Sequence, residues 1–531
     1  MGRIGASFLI VLALAVLALA VSAFLLLPAR PALALAPTDL PRFAHIFGDH
    51  AVLQRDRPIR LWGLARPRER LLVGFGEQRV GVIADARGRW RVELGPMRAG
   101  GPYRLTLGAA DEAGKAGPAR QTALNDIMIG DVYLCSGQSN MEFKVKWSTN
   151  AWGGQWMPVN DNIRFTTVEQ NRAPLPADDL ESPAEWKVAG PKTTADASAV
   201  CYYMAEAIEA DQKVAIGMIA SSWGGTPAQA WISAEGLRRL HSYDADLDAL
   251  ALFTASPDKA RADWAARMRQ PPAFGVAPRL DFHEQEPWST PNGVSVLYNA
   301  MIAPIAPFPI SAVAWYQGET DARQPREYAR LLPALMRDWR EAFQQPDLPF
   351  LIVQLANYGP VATRPGQSDW AELRDVQRRV VDADAHAALT VSIDFGDRSD
   401  IHPAQKTIIG QRLARNARAV VYGRAVDPGG PEAVSVTRSG PDLVISFRYL
   451  AADKGGKLLT YSSDMAIGFE VCARDVCKYA TAVVDNDRIV LKGANTPQAT
   501  SVRYAWADSP FVNLFNGEDL PAVPFQLDIA R

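Results

Sequence analysis

Four short segments of this chain place reactive side chains directly after apolar runs of strand length. Ser139 follows the run IMIGDVYLC, and a glycine-rich turn containing Gly225 follows VAIGMIA. Gln317 and Glu319 follow AVAWY, and His402 ends the acidic loop after LTVSID. A serine hydroxyl, an imidazole that removes its proton and a carboxylate that orients the imidazole are the groups that nucleophilic acyl transfer requires.

The segment SGQSNM contains two candidate nucleophiles, Ser136 and Ser139. Gly137 stands two residues before Ser139, where a glycine permits the sharp turn that presents a hydroxyl, and N–H groups at a helix start can hold an oxyanion. Ser136 precedes the turn, so we expect it to bond to the backbone. Gly-x-Ser alone is a weak signal, because a chain of this composition contains it several times by chance.

His402 is the candidate general base, because it is the one histidine that follows a predicted strand of the sheet. The other histidines are His45, His50, His241, His283 and His386. Asp400 lies two residues before His402, and alternate residues of an extended segment face the same side, so Asp400 is the predicted partner of the imidazole. Asp397 is the alternative partner of the imidazole. The simplest interpretation of either aspartate is a solvent-exposed loop residue with no catalytic role.

The elements that position these groups alternate between apolar runs and amphipathic segments. The runs named above, with PFLIVQL, are separated by SAVCYYMAEAIEA, PREYARLLPALMRDWREAF and DWAELRDVQRRVVDADA, which have the apolar spacing of surface helices. This alternation predicts an α/β fold with a parallel sheet in three layers. Reactive groups then meet beyond the carboxyl ends of the strands.

Short alternating segments before and after this region predict two flanking β domains. We expect a β-sandwich-like domain over residues 37–125, a catalytic domain over 126–425 with an insertion at about 241–293, and a C-terminal β domain over 426–531. The 531 residues are enough for about three domains.

Residues 1–36 form an export segment. No charge occurs between Arg3 and Arg30, and small residues follow. Residues 4–29 are also long enough for an N-terminal membrane anchor, so a periplasmic or secreted protein and an anchored one both stay open. Export permits a disulfide between Cys472 and Cys477, whereas the apolar contexts of Cys135 and Cys201 predict two buried small side chains.

The overall charge excludes one large class of partner. Lysine and arginine total 56 against 58 acidic residues, so the net charge of -2 provides no cationic surface for nucleic acid. The histidines lack metal-ligand spacing and the glycines lack nucleotide-loop spacing, so we predict neither a metal nor a cofactor.

Four segments resemble the conserved blocks of the sialate O-acetylesterases within the SGNH hydrolases. They are GDVYLCSGQSNMEF, SSWGGTPAQAW, AWYQGETDA and DIHP. The flanks resemble this family too, in VLQRDRPIRLWG, AGGPYRLT, VRYAWADSP and NLFNGEDLP, whereas the leader and the insertion do not. The resemblance implies the SGNH three-layer sheet, with Ser139 as nucleophile and His402 as base.

The same resemblance implies roles for the residues around Ser139. The N–H of Ser139, Gly225 and the amide of Gln317 are the expected oxyanion hole, although the wider family has the shorter asparagine in place of Gln317. The wider pattern also has an aspartate three residues before the histidine, where this chain has Ser399, so Asp400 is the proposed third member. The predicted substrate contacts are Gln138, Asn140, Trp223 and Glu319. Three further roles stay open for Glu319: it could orient Gln317, orient the Ser139 turn, or form a structural ion pair.

The expected activity is removal of O-acetyl groups from a carbohydrate by a serine esterase through an acetyl-serine intermediate. Acetylated sialic acid and acetylated plant cell-wall or other glycans are the alternative substrates. A catalytically inactive glycan-binding protein and a general short-chain or lipid esterase are the alternative functions.

Overall fold

The computed structural model describes residues 40–111, 116–149, 159–269, 285–474 and 476–530. It has a mixed α/β fold with one large mixed sheet and antiparallel sheets beside it. The helices are α1 (Ser139–Glu142), α2 (Ala199–Gln212), α3 (Ala234–Arg238), α4 (Asp244–Ala255), α5 (Pro257–Met268), α6 (Pro325–Ala342), α7 (Asp369–Asp382) and α8 (Lys406–Val420).

The strands of the N-terminal and central regions come first along the chain. They are β1 (Arg42–Phe43), β2 (Val52–Gln54), β3 (Ile59–Leu64), β4 (Arg70–Phe75), β5 (Gln78–Ile83), β6 (Arg89–Leu94), β7 (Gly100–Ala110), β8 (Ala116–Gly137), β9 (Asn160–Thr167), β10 (Lys187–Ala189), β11 (Ala215–Ser222), β12 (Ala312–Tyr316), β13 (Phe350–Val353) and β14 (Ala387–Thr390).

The C-terminal strands follow. They are β15 (Glu432–Ser439), β16 (Asp442–Arg448), β17 (Leu458–Thr460), β18 (Met465–Ala466), β19 (Phe469–Ala473), β20 (Val476–Tyr479), β21 (Ala482–Asp485), β22 (Arg488–Leu491), β23 (Ser501–Tyr504), β24 (Leu514–Asn516) and β25 (Phe525–Asp528).

The centre of the large sheet is parallel, in the order β9-β11-β8-β12-β13-β14, with β10 antiparallel at its edge. Every residue of β11, β12 and β13 is buried, as expected for strands covered on both faces. Ser221 and Trp315 are the partners of Ser136 on either side, so β11, β8 and β12 end at the same level. The loops after these three strands therefore emerge together.

Neighbouring residues of the parallel strands belong to two separate hydrophobic clusters. Leu134 and Trp315 belong to the cluster that includes side chains of α6 and α7, whereas Cys135 and Ala314 belong to the cluster that includes side chains of α2 and α8. This alternation follows from the two-residue period of a strand.

Strand β8 joins the N-terminal region to the central sheet without a linker. We predicted a domain boundary at residue 125, but β8 runs through it and pairs with β7 antiparallel and with β2 parallel. Asp126, within β8, has a φ of 55° and accepts hydrogen bonds from His50 and Arg164. The strand continues through this bend, so the large sheet contains strands of both regions.

The C-terminal strands form three antiparallel sheets around a core of their own. This region is attached to the central one through Arg374 of α7, which is buried and donates to the carbonyls of Ala507 and Asp508. Burial lowers the pKa of Arg374 to about 9.

Within the expected insertion at 241–293, the structure describes α4, α5 and the segment from residue 285 onward. The helical pattern DKARADWAARMRQ corresponds to most of α5. Phe253 and Trp288 stack at 4.6 Å between ring centroids, which holds α4 against the returning chain. His283 and the proline-rich part lie outside the described residues.

All four cysteines are paired. Cys472 and Cys477 form one disulfide, and Cys135 and Cys201 form the other. The prediction that Cys135 and Cys201 are merely buried apolar side chains was wrong about pairing, because Cys201 of α2 lies in the same buried cluster as Cys135 of β8, with 6.4 Å between their Cα atoms.

Among the described residues, no helix is both long enough and apolar enough to cross a membrane. The predicted export segment at 1–36 and the anchor at 4–29 lie outside those residues.

Candidate active site

Ser139 begins α1 directly after β8, in a turn that adjacent strands hold by backbone hydrogen bonds. Gln138 donates its N–H to Tyr316 at 3.1 Å, and Trp223 donates to the carbonyl of Gly137 at 3.1 Å. Gly137 has a φ of 134°, and a Cβ there would lie 2.1 Å from the Tyr316 carbonyl oxygen. A glycine is therefore required for the turn that presents Ser139.

The hydroxyl of Ser139 contacts the imidazole of His402. Ser139 Oγ lies 2.8 Å from His402 Nε2, although the two residues are 263 positions apart. Both side chains are partly exposed. The ring of Phe143 lies nearly parallel to the imidazole at 6.5 Å between centroids. This geometry suits transfer of the serine proton to the imidazole.

Three carboxylates share the loop before α8, and Asp400 is the nearest of them to His402. Asp400 Oδ1 lies 3.5 Å from Nδ1 and accepts the N–H of His402 at 2.8 Å. Asp397 accepts from the N–H and hydroxyl of Ser399, which lowers its pKa, and Asp394 pairs with Arg412. Asp397 and Asp394 thus shape the loop.

Backbone N–H groups are the available oxyanion donors. Those of Ser139 and Gly225 make no hydrogen bond within the described part of the chain. Gly225 has a φ of 74°, and a Cβ there would meet no atom within 4 Å. The N–H of Gly224, by contrast, donates to Glu142 at 2.9 Å.

The amide of Gln317 is occupied, which differs from its expected role in the oxyanion hole. Its Nε2 donates to the carbonyl of Thr226 at 3.2 Å and to Asp321 at 2.5 Å, which uses both amide hydrogens. Asp321 also accepts the N–H of Ala228, and burial raises its pKa to about 6. In this arrangement Gln317 supports the turn that contains Gly225.

Asn140 ties the nucleophile turn to the histidine loop. Its Nδ2 donates to Glu319 at 2.5 Å and to the carbonyl of Ile401 at 3.0 Å, and its Oδ1 accepts from Lys406 Nζ at 2.5 Å. Every polar atom of the Asn140 side chain is therefore engaged within the protein, and the substrate contact by Asn140 stays a prediction. Of the three roles left open for Glu319, its contact with Asn140 matches the one in which Glu319 orients the Ser139 turn.

The Asn140 network is buried and contains two groups of opposite charge. Burial raises the pKa of Glu319 and lowers that of Lys406 to about 7. Lys406 Nζ also lies 5.0 Å from the ring centre of Phe143 and 5.2 Å from that of Tyr316. Sequence reasoning missed Lys406; a lysine at the first position of a helix, where the dipole disfavours a cation, was the available signal.

The remaining predicted residues lie near the site with different exposure. Gln138 is buried, with its Oε1 3.5 Å from the N–H of Gly318 and 3.4 Å from that of Thr320. Trp223 is partly buried. Ser136 is fully buried and donates to the carbonyl of Ser221 at 2.5 Å, as expected of a serine that bonds to the backbone.

The other described histidines have partners away from Ser139. His45 contacts the carbonyl of Leu180, and His50, His241 and His386 lie beside Asp126, Asp244 and Asp347.

Comparison with known proteins gives one consistent result. Residues 283–419 match the family model of carbohydrate esterases described as sialic acid-specific acetylesterases. The sialate O-acetylesterase of Mus musculus is 27% identical, with 92% of this chain and 95% of that protein aligned, and the Homo sapiens protein is 27% identical with 88% of each aligned. The crystal structure of a carbohydrate acetylesterase from Xanthomonas citri is 30% identical, superposes with a TM-score of 0.77, and covers 92% of this chain and 100% of that one.

Proposed function

The chain belongs to the sialate O-acetylesterase family of carbohydrate esterases and is a carboxylic ester hydrolase, and from this premise we propose that it removes O-acetyl groups from a carbohydrate with Ser139 as nucleophile. The 2.8 Å contact between Ser139 Oγ and His402 Nε2, beyond the carboxyl ends of the parallel strands, is the observation that supports the serine mechanism. We place both residues in a three-layer SGNH-type sheet.

In the first half of the proposed reaction, Ser139 Oγ attacks the acetyl carbonyl carbon while His402 Nε2 removes the hydroxyl proton. The carbonyl oxygen becomes an oxyanion, which accepts hydrogen bonds from the N–H groups of Ser139 and Gly225. Collapse of this intermediate breaks the bond to the sugar oxygen, and His402 returns the proton to that oxygen. The sugar hydroxyl leaves, and the acetyl group stays on Ser139.

In the second half, a water molecule attacks the acetyl-serine. His402 removes one proton from the water and returns it to Ser139 Oγ as the bond to that oxygen breaks, so acetic acid leaves and loses its remaining proton to solvent as acetate. Asp400 is the proposed partner of the imidazolium in both halves, with Asp397 as the alternative.

The alanine variant of Ser139 tests this mechanism with p-nitrophenyl acetate. We expect Ser139→Ala to reduce kcat by at least about 1000-fold, because the nucleophile is lost. Ser136→Ala is the matched control and should keep turnover, because Ser136 is buried and bonded to the backbone. Equal catalysed turnover by Ser139→Ala and the parent protein would exclude Ser139 as the nucleophile, whereas turnover no faster than the uncatalysed reaction in both proteins would favour a glycan-binding protein.

A series of p-nitrophenyl esters separates an acetylesterase from a general or lipid esterase. A small acyl site predicts a steep fall in kcat/KM from acetate to longer acyl groups. Rising activity with acyl length would contradict the acetylesterase proposal.

We also propose that the protein is exported, in a periplasmic, secreted or N-terminally anchored form. The uncharged segment at 4–29 and the two disulfides support this, because disulfides persist in oxidising compartments.

A further inference from the structure

A cavity of about 490 Å³ lies between the C-terminal strands and the segment that follows β13. We call it the C-terminal cavity. Its lining is mainly aromatic and aliphatic and includes Val361, Met465, Ile467, Tyr479, Trp506 and Phe511. Both its volume and its apolar lining fall in the range of small-ligand sites.

Large apolar side chains are exposed around this cavity. Phe511 is 58% exposed and Tyr479 is 52% exposed, and Met465 and Ile467 are exposed to a similar degree. Grouped exposed apolar side chains of this kind mark a binding surface, whereas single ones need no explanation.

Two buried polar groups in the cavity wall have an unpartnered atom. Glu470 is 2% exposed and Trp506 is 6% exposed, yet Glu470 Oε2 and Trp506 Nε1 make no hydrogen bond within the described residues. One is an acceptor and the other a donor. Buried polar groups are normally paired, and a ligand with hydroxyl groups can serve both, since a hydroxyl donates and accepts.

The Glu470 side chain favours a ligand without negative charge. Arg503, its partner across the adjacent strand, donates to Gln526 at 2.7 Å and stacks on Trp506 at 4.6 Å. Burial raises the pKa of Glu470 to about 7, and above that pH its carboxylate would repel an anionic ligand in the cavity but not a neutral one. Cys472 and Cys477, also close to Glu470, are bonded to each other and so offer no thiolates to a metal.

The rim of the cavity contacts the loop that contains His402. The guanidinium of Arg398 lies 4.7 Å from the ring centre of Phe511, and the carbonyl of Arg398 accepts the N–H of Gly359. Arg398 stands four residues before His402, and four residues span at most about 14 Å. A short oligosaccharide therefore has the length to reach from the cavity to the imidazole.

From these observations we propose that the C-terminal cavity binds a neutral sugar residue of the glycan chain whose acetyl group is removed at Ser139. Apolar faces of the pyranose ring pack on Phe511 and Tyr479, and ring hydroxyls pair with Glu470 and Trp506. The inference rests on the proposed function and narrows its substrate to a neutral glycan chain.

Isothermal titration calorimetry on the full-length Ser139→Ala protein tests the binding. The neutral probes are xylohexaose, cellohexaose and mannohexaose, and sialyllactose is the anionic probe. At a pH about one unit above the Glu470 pKa of about 7, we expect saturable binding of at least one neutral probe and weaker binding of sialyllactose. Failure of all three neutral probes to bind, or equal or tighter binding of sialyllactose, would overturn the inference.

Variants locate the binding in the cavity. In the same background, Phe511→Ala and Tyr479→Ala should each raise Kd about tenfold through loss of a stacking face. Trp506→Phe, which removes the N–H but keeps an aromatic ring, should also raise Kd. Tyr461→Ala is the matched control, because Tyr461 is an exposed aromatic of the same region outside the cavity lining, and it should leave Kd unchanged. An unchanged Kd in both Phe511→Ala and Tyr479→Ala would overturn the inference.

Activity measurements keep this inference separate from the proposed function. With Ser139 intact, Phe511→Ala should hydrolyse p-nitrophenyl acetate at the parent rate but lose about tenfold in kcat/KM on an acetylated neutral polysaccharide, mainly through KM. If Phe511→Ala and the parent protein have equal kcat/KM on the polysaccharide, the inference of sugar binding in the C-terminal cavity is wrong, but the esterase mechanism is unaffected. That mechanism is contradicted if Ser139→Ala stays active.

Discussion

Ser139 and His402 meet because each follows a strand of one parallel sheet, where the carboxyl ends lie at the same edge. Their contact could be predicted from the order of apolar runs and reactive side chains. The acidic partner of His402 is less well defined by the geometry, because Asp400 is mostly exposed and its nearest carboxylate oxygen lies 3.5 Å from His402 Nδ1.

Asp400 and Asp397 can be separated by substitution. We expect Asp400→Asn to lower kcat on p-nitrophenyl acetate by about 10- to 100-fold, less than for a buried triad aspartate because solvent shares the stabilisation of the imidazolium. Asp397→Asn is the matched control and should stay within a few-fold of the parent, since its carboxylate bonds to loop N–H groups. A larger loss of kcat for Asp397→Asn than for Asp400→Asn would indicate that Asp397, rather than Asp400, is the acidic partner of His402.

Asp321 should make stability depend on pH. Its pKa is about 6 in the folded protein against an ordinary 3.8, so folding favours the protonated form. Its contribution is fully present below pH 3.8 and is lost as pH rises through 6. Relative to Asp321→Asn, the parent's free energy of unfolding should fall by about 3 kcal/mol across that window. Denaturant titrations at several pH values measure this, and a constant difference would show that the carboxyl is not protonated on folding.

At the scale of elements, the apolar runs and helical patterns predicted most of the central region. AVAWY coincides with β12, and PREYARLLPALMRDWREAF with α6 and its C-cap. The passage of β8 through the expected boundary could not be predicted, because it depends on pairing with β7 and β2, far from it in the chain. The buried contact of Lys406 with Asn140 likewise depends on two elements 266 residues apart.

The start of α8 should position the catalytic pair through Lys406 and Asn140. We expect Lys406→Met to lower kcat about 100-fold with little change in KM, because the Ser139 turn and the His402 loop lose a shared contact. Lys406→Gln should recover part of the activity, since its amide can still donate to Asn140. Exposed Lys192→Met is the control. A loss confined to stability, with kcat unchanged in the folded fraction, would contradict this role.

At the scale of the whole molecule, the two disulfides close loops of very different length, 66 and 5 residues apart in sequence. Replacing Cys135 and Cys201 by alanine should lower the free energy of unfolding by about 4 kcal/mol, and replacing Cys472 and Cys477 by about 2 kcal/mol, because a longer loop constrains the unfolded chain more. Guanidinium titrations of both double variants give the comparison. A larger loss for the short loop would show that unfolded-chain entropy does not set the order.

The most direct test of the account is to identify the residue that a fluorophosphonate esterase probe modifies, by peptide mass mapping of the inactivated protein. We expect one adduct, on Ser139, with loss of p-nitrophenyl acetate hydrolysis in proportion to labelling and greatly slowed labelling in His402→Ala. Inactivation with the adduct on any other residue, or full activity after complete labelling of Ser139, would contradict the account.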